Sequence, residues 1–171
     1  YKYPIIPGHE IIGKIHKVSK NHKIKIGDRV AVYPLIPCKK CTHCKNKNFN
    51  LCEKYDFLGS RSNGGYANYV EAPIENLIKI PKNVSDSNAV FTEPLSVALH
   101  AFKIAENNFK PKKIAILGLG PIGLMIALWA KQKGIKNVIG IDRNLNRFNA
   151  FKRIGFKKII NTKQQSNIGE N

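Results

Sequence analysis

Apolar positions in the first hundred residues recur in short alternating runs, each bounded by turn residues. Glu10 to Val18 reads as one strand, and Arg29 to Tyr33, where Val30 and Val32 alternate with their neighbours, reads as another. Ile26-Gly27-Asp28 between them has the composition of a hairpin-like turn. Strand patterning returns at Gly65 to Ala72 and at Leu77 to Ile80, which predicts a mostly β domain. From about Ser85 the period lengthens to that of a helix, with Ala89, Val90, Leu95, Val97, Ala98, Ala101 and Phe102 at helical spacings. Pro94 inside that stretch predicts a kink or a restart.

The pattern changes again after Pro111. Lys113 to Leu117 is a continuous apolar run of the kind a parallel strand buried on both faces shows. A helix from about Pro121 to Lys133 follows, closed by Gly134, and Val138 to Ile141 forms a strand that delivers Asp142. A further helix near Leu145 to Ile154 and a strand near Lys158 to Asn161 complete a βαβαβ series, the first half of a doubly wound sheet. The fold class expected is therefore α/β plus β. Half a sheet would leave an apolar strand and an unpaired edge exposed, so the isolated chain is expected to associate or to be poorly soluble.

One segment fits neither pattern. Residues 37–52 are rich in Lys and Asn and hold every cysteine of the chain, Cys38, Cys41, Cys44 and Cys52. Four thiolates on a short loop can take the four tetrahedral positions of Zn²⁺ at about 2.3 Å, with steps of two intervening residues letting neighbouring sulfurs reach one ion. Such a site leaves no position open for substrate, so its role is structural. The alternative is free cysteines or two disulfides in a secreted domain. Against it stand the length of the chain and the absence of a visible signal peptide, which point to a reducing, cytoplasmic setting.

Composition adds one further question. The 171 residues carry 29 Lys plus Arg against 11 Asp plus Glu, a formal charge of +18, which raises nucleic-acid or membrane-surface binding. The lysines are scattered through loops, strand ends and helix faces, and no run interleaves them with aromatics as a single-strand binding platform requires. Neither nucleic acid nor membrane is the expected partner. The apolar stretch Ile114 to Ala130 is interrupted by Gly118, Gly120, Pro121 and Gly123 and ends at Lys131, short of the about 20 residues that span a bilayer.

Gly118-Leu119-Gly120-Pro121-Ile122-Gly123 follows the apolar strand and opens a helix, the context in which GxGxxG reads as a dinucleotide turn. Gly118 permits the tight turn, Gly120 lets backbone approach a pyrophosphate, and Gly123 lets the helix pack on the strand. Asp142 at the end of the next strand would accept hydrogen bonds from an adenosine ribose and repel a 2′-phosphate, favouring NAD. Arg143 and Arg147 nearby keep NADP open. A plain βα turn and a helix-capping Asp are the structural alternatives.

Gly8-His9-Glu10 and the Glu93 of an otherwise apolar helix are candidates for a second metal centre, meaningful only if they meet. His43 and His100 are weaker supplementary candidates, read more simply as ordinary polar histidines.

In order, Tyr3-Pro4, Gly8-His9-Glu10, Gly27-Asp28-Arg29-Val30, the four cysteines, Gly64-Gly65-Tyr66-Ala67-Asn68-Tyr69, Glu93-Pro94-Leu95 and the glycine turn resemble the zinc-dependent medium-chain dehydrogenases. Pro34 to Cys38 and Cys52 to Arg61 are most similar to the galactitol-1-phosphate 5-dehydrogenase branch, and Glu93-Pro94 fits polyol enzymes better than threonine dehydrogenases. The resemblance implies a GroES-like catalytic domain over residues 1–100, lacking its N-terminal part, with the zinc lobe at 37–52. It implies the first half of an NAD-binding Rossmann domain over 101–171. It also implies a catalytic zinc with His9 as ligand and Glu10 and Glu93 as ligands or alternating outer carboxylates. The expected reaction is oxidation of a secondary alcohol of a polyol or polyol phosphate to a ketone, with sorbitol-like polyols or threonine as alternative substrates.

In that family a further ligand is the cysteine of a Cys-Gly-x-Asp segment upstream of Gly-His-Glu, a segment not found in these 171 residues. The chain is accordingly expected to be an internal piece of a homodimeric or homotetrameric parent and inactive alone. The other function classes open are a zinc-stabilised binding module and a degenerate remnant. Arg61 is a candidate contact for a substrate phosphate.

Overall fold

A computed structural model describes residues 3–19, 23–107 and 110–164. They fall into two units divided between Glu93 and Pro94.

The first unit is built on a three-stranded antiparallel sheet. β1 (Ile11–Lys14) pairs with β2 (Arg29–Val32), and β2 pairs on its other edge with a later strand, Leu77–Lys79. The turn between β1 and β2 closes through the Gly27 amide on the Ile15 carbonyl at 2.8 Å, with Gly27 at φ +85°, where a side chain would be strained. The sheet packs Ile11 and Val32 against Leu58, with Val70, Ala72 and Leu77 at the margin of the cluster.

Past Val32 the chain changes partners. β3 (Leu35–Ile36) leaves the first sheet and pairs antiparallel with β4 (Asp56–Phe57), Leu35 opposite Phe57 and Ile36 opposite Asp56. The buried Asn76 covers the changeover: its Nδ2 donates to the Tyr33 and Leu35 carbonyls at 2.7 and 2.8 Å, and its own carbonyl accepts from the Tyr33 amide at 2.8 Å. Between β3 and β4 lies the cysteine lobe, with the short helix α1 (Thr42–Lys45) and a single 3₁₀ turn at Phe49–Leu51. β5 is the Leu77–Lys79 strand already placed in the first sheet.

The strand expected at Gly65 to Ala72 does not form. Gly64, Gly65 and Tyr66 donate their amides to the carbonyls of Ile6, Gly8 and Pro7 at 2.7, 2.8 and 3.0 Å, so this backbone is spent on an irregular clasp around residues 6–8. The alternation was real in part, since Val70 and Ala72 do reach the core while Tyr66 and Tyr69 stay exposed.

Ser85 caps α2 (Asp86–Ala89), its hydroxyl accepting from the Asn88 amide, and the helix restarts as α3 (Thr92–Glu106) with Pro94 in the first turn, where no amide is needed. In the second unit β6 (Lys113–Leu117), α4 (Pro121–Gln132), β7 (Asn137–Asp142), α5 (Leu145–Ile154) and β8 (Lys158–Asn161) follow the predicted series. The strands are parallel, in the order β6-β7-β8, with Ile116 opposite Gly140 and Ile141 opposite Ile160. Leu119, Ala127, Val138 and Phe151 form the dry centre. Gly140 is there because a Cβ would meet the Phe151 and Leu119 side chains at 2.9 Å.

Among the described residues β6 has a partner on one edge only, and Leu117 at its end is 81% exposed. A cavity of about 630 Å³ runs beside it, lined by Ala101, Phe102, Ile114, Ile116, Ile126 and the glycine turn. No helix among the described residues is long and apolar enough to cross a membrane.

Candidate functional site: two metal-competent clusters and a glycine turn

Cys38, Cys41, Cys44 and Cys52 converge with their sulfurs all within 4.8 Å of one another. The Cys38 and Cys44 sulfurs are 3.9 Å apart, close to the about 3.8 Å that two corners of a tetrahedron with about 2.3 Å Zn–S bonds require. Lys39 and Lys47 both take φ near +61°, which folds the backbone tightly around the sulfurs. The backbone then aims its amides inward, as in the Cys38 N–H donated to Cys52 Sγ at 3.2 Å. The amides of Lys40 and Cys41 hold the Cys38 thiol down at about 6, and those of Glu53 and Cys44 lower Cys41. Burial instead pushes Cys44 up to about 12, with the neighbouring sulfurs adding to the rise. The loop favours some thiolates and resists gathering all four, the imbalance a divalent cation removes. The donor set, the distances and the electrostatics fit zinc. His43 stands outside this cluster.

The second cluster brings together residues distant in sequence. His9 and Glu10 come from the loop before β1, Glu93 from the first turn of α3, and their ligand atoms also lie within 4.8 Å of one another. Burial raises the Glu93 carboxyl above its ordinary value; His9 nearby pulls it down, and Glu10 pushes it further up. One imidazole and two carboxylates, with one carboxylate in partial burial, form a donor set suited to zinc with positions left open. His100, exposed on α3, is not part of it.

The loop that carries His9 is held by backbone. A Cβ on Gly59 would stand 2.2 Å from the Gly8 carbonyl oxygen, and one on Gly64 would stand 2.1 Å from the same atom. Only glycine allows so close an approach. The His9 imidazole meets the Phe57 ring at 5.7 Å between centroids and 64° between planes, a contact that no sequence pattern indicates. Arg61 lies over the Tyr55 ring at 4.0 Å and donates to its hydroxyl at 3.1 Å.

In the second unit β6 runs into Gly118 at φ +90°, whose amide donates to the Ile141 carbonyl at 2.8 Å. Gly120 is the N-cap of α4, with no side chain capping the helix and Pro121 at its first position. A Cβ on Gly120 would meet nothing within 4 Å, so open space lies in front of uncapped helix amides. Ile122 is 37% exposed at this end, and Gly123 is pressed on the turn, where a Cβ would come within 1.9 Å of the Gly118 carbonyl oxygen. That arrangement fits the pyrophosphate of a dinucleotide.

Asp142 does more than sequence reasoning assigned to it. Its side chain is 3% exposed. It accepts hydrogen bonds from the amides of Leu119, Arg143 and Asn144 at 2.7, 2.7 and 2.8 Å, and from Arg147 Nη1 at 3.1 Å. It thus fastens the glycine turn to the end of β7. Burial pushes its pKa upward, but the hydrogen bonds from Leu119, Asn144, Arg147 and Arg143 prevail and hold it at about 2. Because the folded value is below the ordinary 3.8, Asp142 stabilises the fold fully above about pH 4, and that contribution disappears as pH falls toward 2. Urea midpoints measured from pH 6 to pH 2 should show an acid-side loss in the native chain that is smaller in Asp142→Asn, which starts less stable; parallel curves would contradict this.

Residues 1–82 match the family model described as the alcohol dehydrogenase GroES-like domain. The chain is 36% identical over 165 residues to galactitol 1-phosphate 5-dehydrogenase of Escherichia coli K12, covering 96% of this chain and 47% of that protein. The crystal structure of the E. coli galactitol-1-phosphate dehydrogenase superposes with a TM-score of 0.88 at 35% identity, over 96% of this chain and 48% of that one. Sorbitol dehydrogenase of Bacillus subtilis 168 is 36% identical over 170 residues, 98% of this chain and 48% of that protein. An alcohol dehydrogenase from E. coli CFT073, solved in complex with NADH, superposes with a TM-score of 0.86 at 34% identity, over 96% of this chain and 49% of that one. The chain spans about half the length of the curated relatives it matches. Residues 1–82 thus carry an alcohol dehydrogenase GroES-like domain, and the chain with its two metal-competent clusters is similar throughout to about half the length of zinc-dependent medium-chain alcohol and polyol dehydrogenases.

Proposed function

We propose that this chain carries the metal-ligand cluster and the nucleotide turn of an NAD-dependent dehydrogenase that oxidises a secondary alcohol of a polyol or polyol phosphate, of the galactitol 1-phosphate kind, to a ketone. The observation that supports it most is the meeting of His9, Glu10 and Glu93, two carboxylates and an imidazole drawn from separate elements.

Zinc, when bound, supplies Lewis acidity that lowers the pKa of an alcohol enough for hydride to leave its carbon. His9, Glu10 and Glu93 would hold the ion. The α4 amides and the space before Gly120 would seat the pyrophosphate, with Asp142 fixing the turn and its charge set against a 2′-phosphate. Arg143 and Arg147 lie at the same end of β7. The overall change converts a secondary alcohol and NAD⁺ to a ketone, NADH and a proton. Galactitol 1-phosphate and sorbitol are the named substrates of two relatives, which supports a polyol. Cys38, Cys41, Cys44 and Cys52 would hold the second, structural zinc.

A chimera tests this: this chain replaces the matched 165 residues of the E. coli enzyme. Galactitol 1-phosphate-dependent NADH formation is expected, falling at least about 100-fold in kcat/KM with His9→Ala, a loss of transition-state stabilisation of about 2.7 kcal/mol. A folded chimera that reduces NAD with threonine and with no polyol would overturn the reading. The 171-residue chain alone should give no sustained NADH.

A further inference from the structure

The ring that meets the His9 imidazole is held by a dense set of backbone bonds. The Phe57 ring meets the imidazole at 5.7 Å and 64°. Phe57 is the last residue of β4, held opposite Leu35 of β3. Its amide is capped by Asp56 Oδ1 at 2.7 Å, and its carbonyl accepts three amides, those of Ser60, Arg61 and Ser62, at 3.2, 2.8 and 3.2 Å. The next amide, Leu58, donates to the Pro34 carbonyl at 3.0 Å. This backbone has little freedom to move.

The same short ladder is the base of the cysteine lobe. β3 leads directly to Cys38, and the chain returns to β4 from Cys52, the two joined by the Cys38 N–H to Cys52 Sγ bond. On the other side, the turn after Phe57 supplies Gly59 and Gly64, which clamp the Gly8 backbone beside His9.

We propose that Phe57 is the positioning residue of His9: its ring, fixed by the β3–β4 ladder, orients the imidazole toward Glu10 and Glu93 and links that orientation to the order of the cysteine lobe. The inference rests on reading His9, Glu10 and Glu93 as a metal centre, as above. A ligand held by an outer partner keeps its geometry when the ion leaves, and losing such a partner typically weakens metal binding about 10- to 100-fold. Here the partner is a ring face or edge in place of a hydrogen bond, so the lower end applies. Phe57 is half-buried, which lets a leucine fill most of its volume without unfolding the turn.

The experiment is a Co²⁺ titration of the chain with zinc already in the cysteine lobe. Visible d–d bands read the carboxylate–imidazole centre, and near-ultraviolet thiolate bands report any exchange into the lobe. Phe57→Leu should weaken Co²⁺ binding about tenfold and change the d–d envelope, while Phe57→Tyr, which keeps the ring, stays within about twofold of the native chain. Cys44→Ser should weaken the same centre, and combining it with Phe57→Leu should add little, since both act through one ladder. Native-like binding by Phe57→Leu overturns the proposal. So does equal loss in Phe57→Leu and Phe57→Tyr, or loss of lobe zinc in Phe57→Leu. His9→Ala separates the two levels: if it leaves Co²⁺ binding unchanged, the metal reading itself fails. If it abolishes binding and Phe57→Leu does not alter it, only the positioning role fails.

Discussion

Stripping the structural metal from a zinc-loaded chain is expected to unfold residues 37–52 and leave the β6–β8 sheet folded. The lobe has almost nothing else to hold it. Its buried side chains are the ligands Cys44 and Cys52 themselves, while Phe49 and Leu51, the residues that would form an apolar centre, are 40% and 54% exposed. α1 has four residues and no side-chain cap, far below the about 12 residues at which a helix becomes marginally stable by itself. Metal binding there is folding free energy, and losing one of four thiolates, as in Cys44→Ser, should lower zinc affinity on the order of 100-fold. Hydrogen exchange with and without a strong chelator reads this directly. The amides of Lys45, Asn46 and Cys52, bonded at 3.0 to 3.1 Å in the folded lobe, should lose protection while β7 keeps its own. A lobe that stays protected without metal would mean that packing, not zinc, holds it.

The second large effect belongs to two glycines three residues apart with different tasks, Gly120 facing the space before the helix and Gly123 packed on the turn. Gly123→Ala should destabilise the second unit by about 3 kcal/mol, the upper end of ordinary overpacking, because its Cβ would stand 1.9 Å from the Gly118 carbonyl and backbone yields less than side chains do. Gly120→Ala should change stability by less than about 0.5 kcal/mol, since its Cβ meets nothing and its φ of −69° suits any residue. The order reverses for ligand. A methyl at position 120 fills the space a pyrophosphate would use, so Gly120→Ala should weaken NADH binding while leaving urea unfolding nearly unchanged. Trp129, the one tryptophan of the chain, lies in α4 with its Nε1 donating to the Leu95 carbonyl at 3.3 Å, and its fluorescence follows the unfolding. Equal midpoints for the two variants would contradict the assignment.

These contrasts show what the chain makes legible. The parallel sheet could be read because Lys113 to Leu117 and Val138 to Ile141 are continuous apolar runs separated by a helix of defined length, a local signal. The cysteine cluster was equally open, since its ligands lie within one short loop. Glu93 could be singled out as an acid on an apolar helix, but its meeting with His9 and Glu10 depends on the tertiary fold. Three features had no local signature. The Gly64-Gly65 pair sits in an apparently alternating stretch, yet these amides serve the Ile6–Gly8 loop and no strand forms. Asp142 is open in sequence as a ribose contact or a helix cap, but its bond to the Leu119 amide of the glycine turn has no local pattern. Phe57 looks like any strand aromatic until its partner is known.

The stack of Gly8, Gly59 and Gly64 carries a consequence for how the site responds to heat. Where a metal ligand is supported by interlocking side chains, its position inherits their rotamer hopping, and warming blurs it well before the protein melts. Here three backbones touch with no χ angle among them. The Gly8 carbonyl also accepts the Gly65 amide at 2.8 Å, so this part of the support for the His9 backbone does not depend on rotamers. Thermal loosening of the cluster then falls on its side chains, the His9 imidazole against Phe57 and the carboxylates of Glu10 and Glu93, more than on the backbone that presents His9.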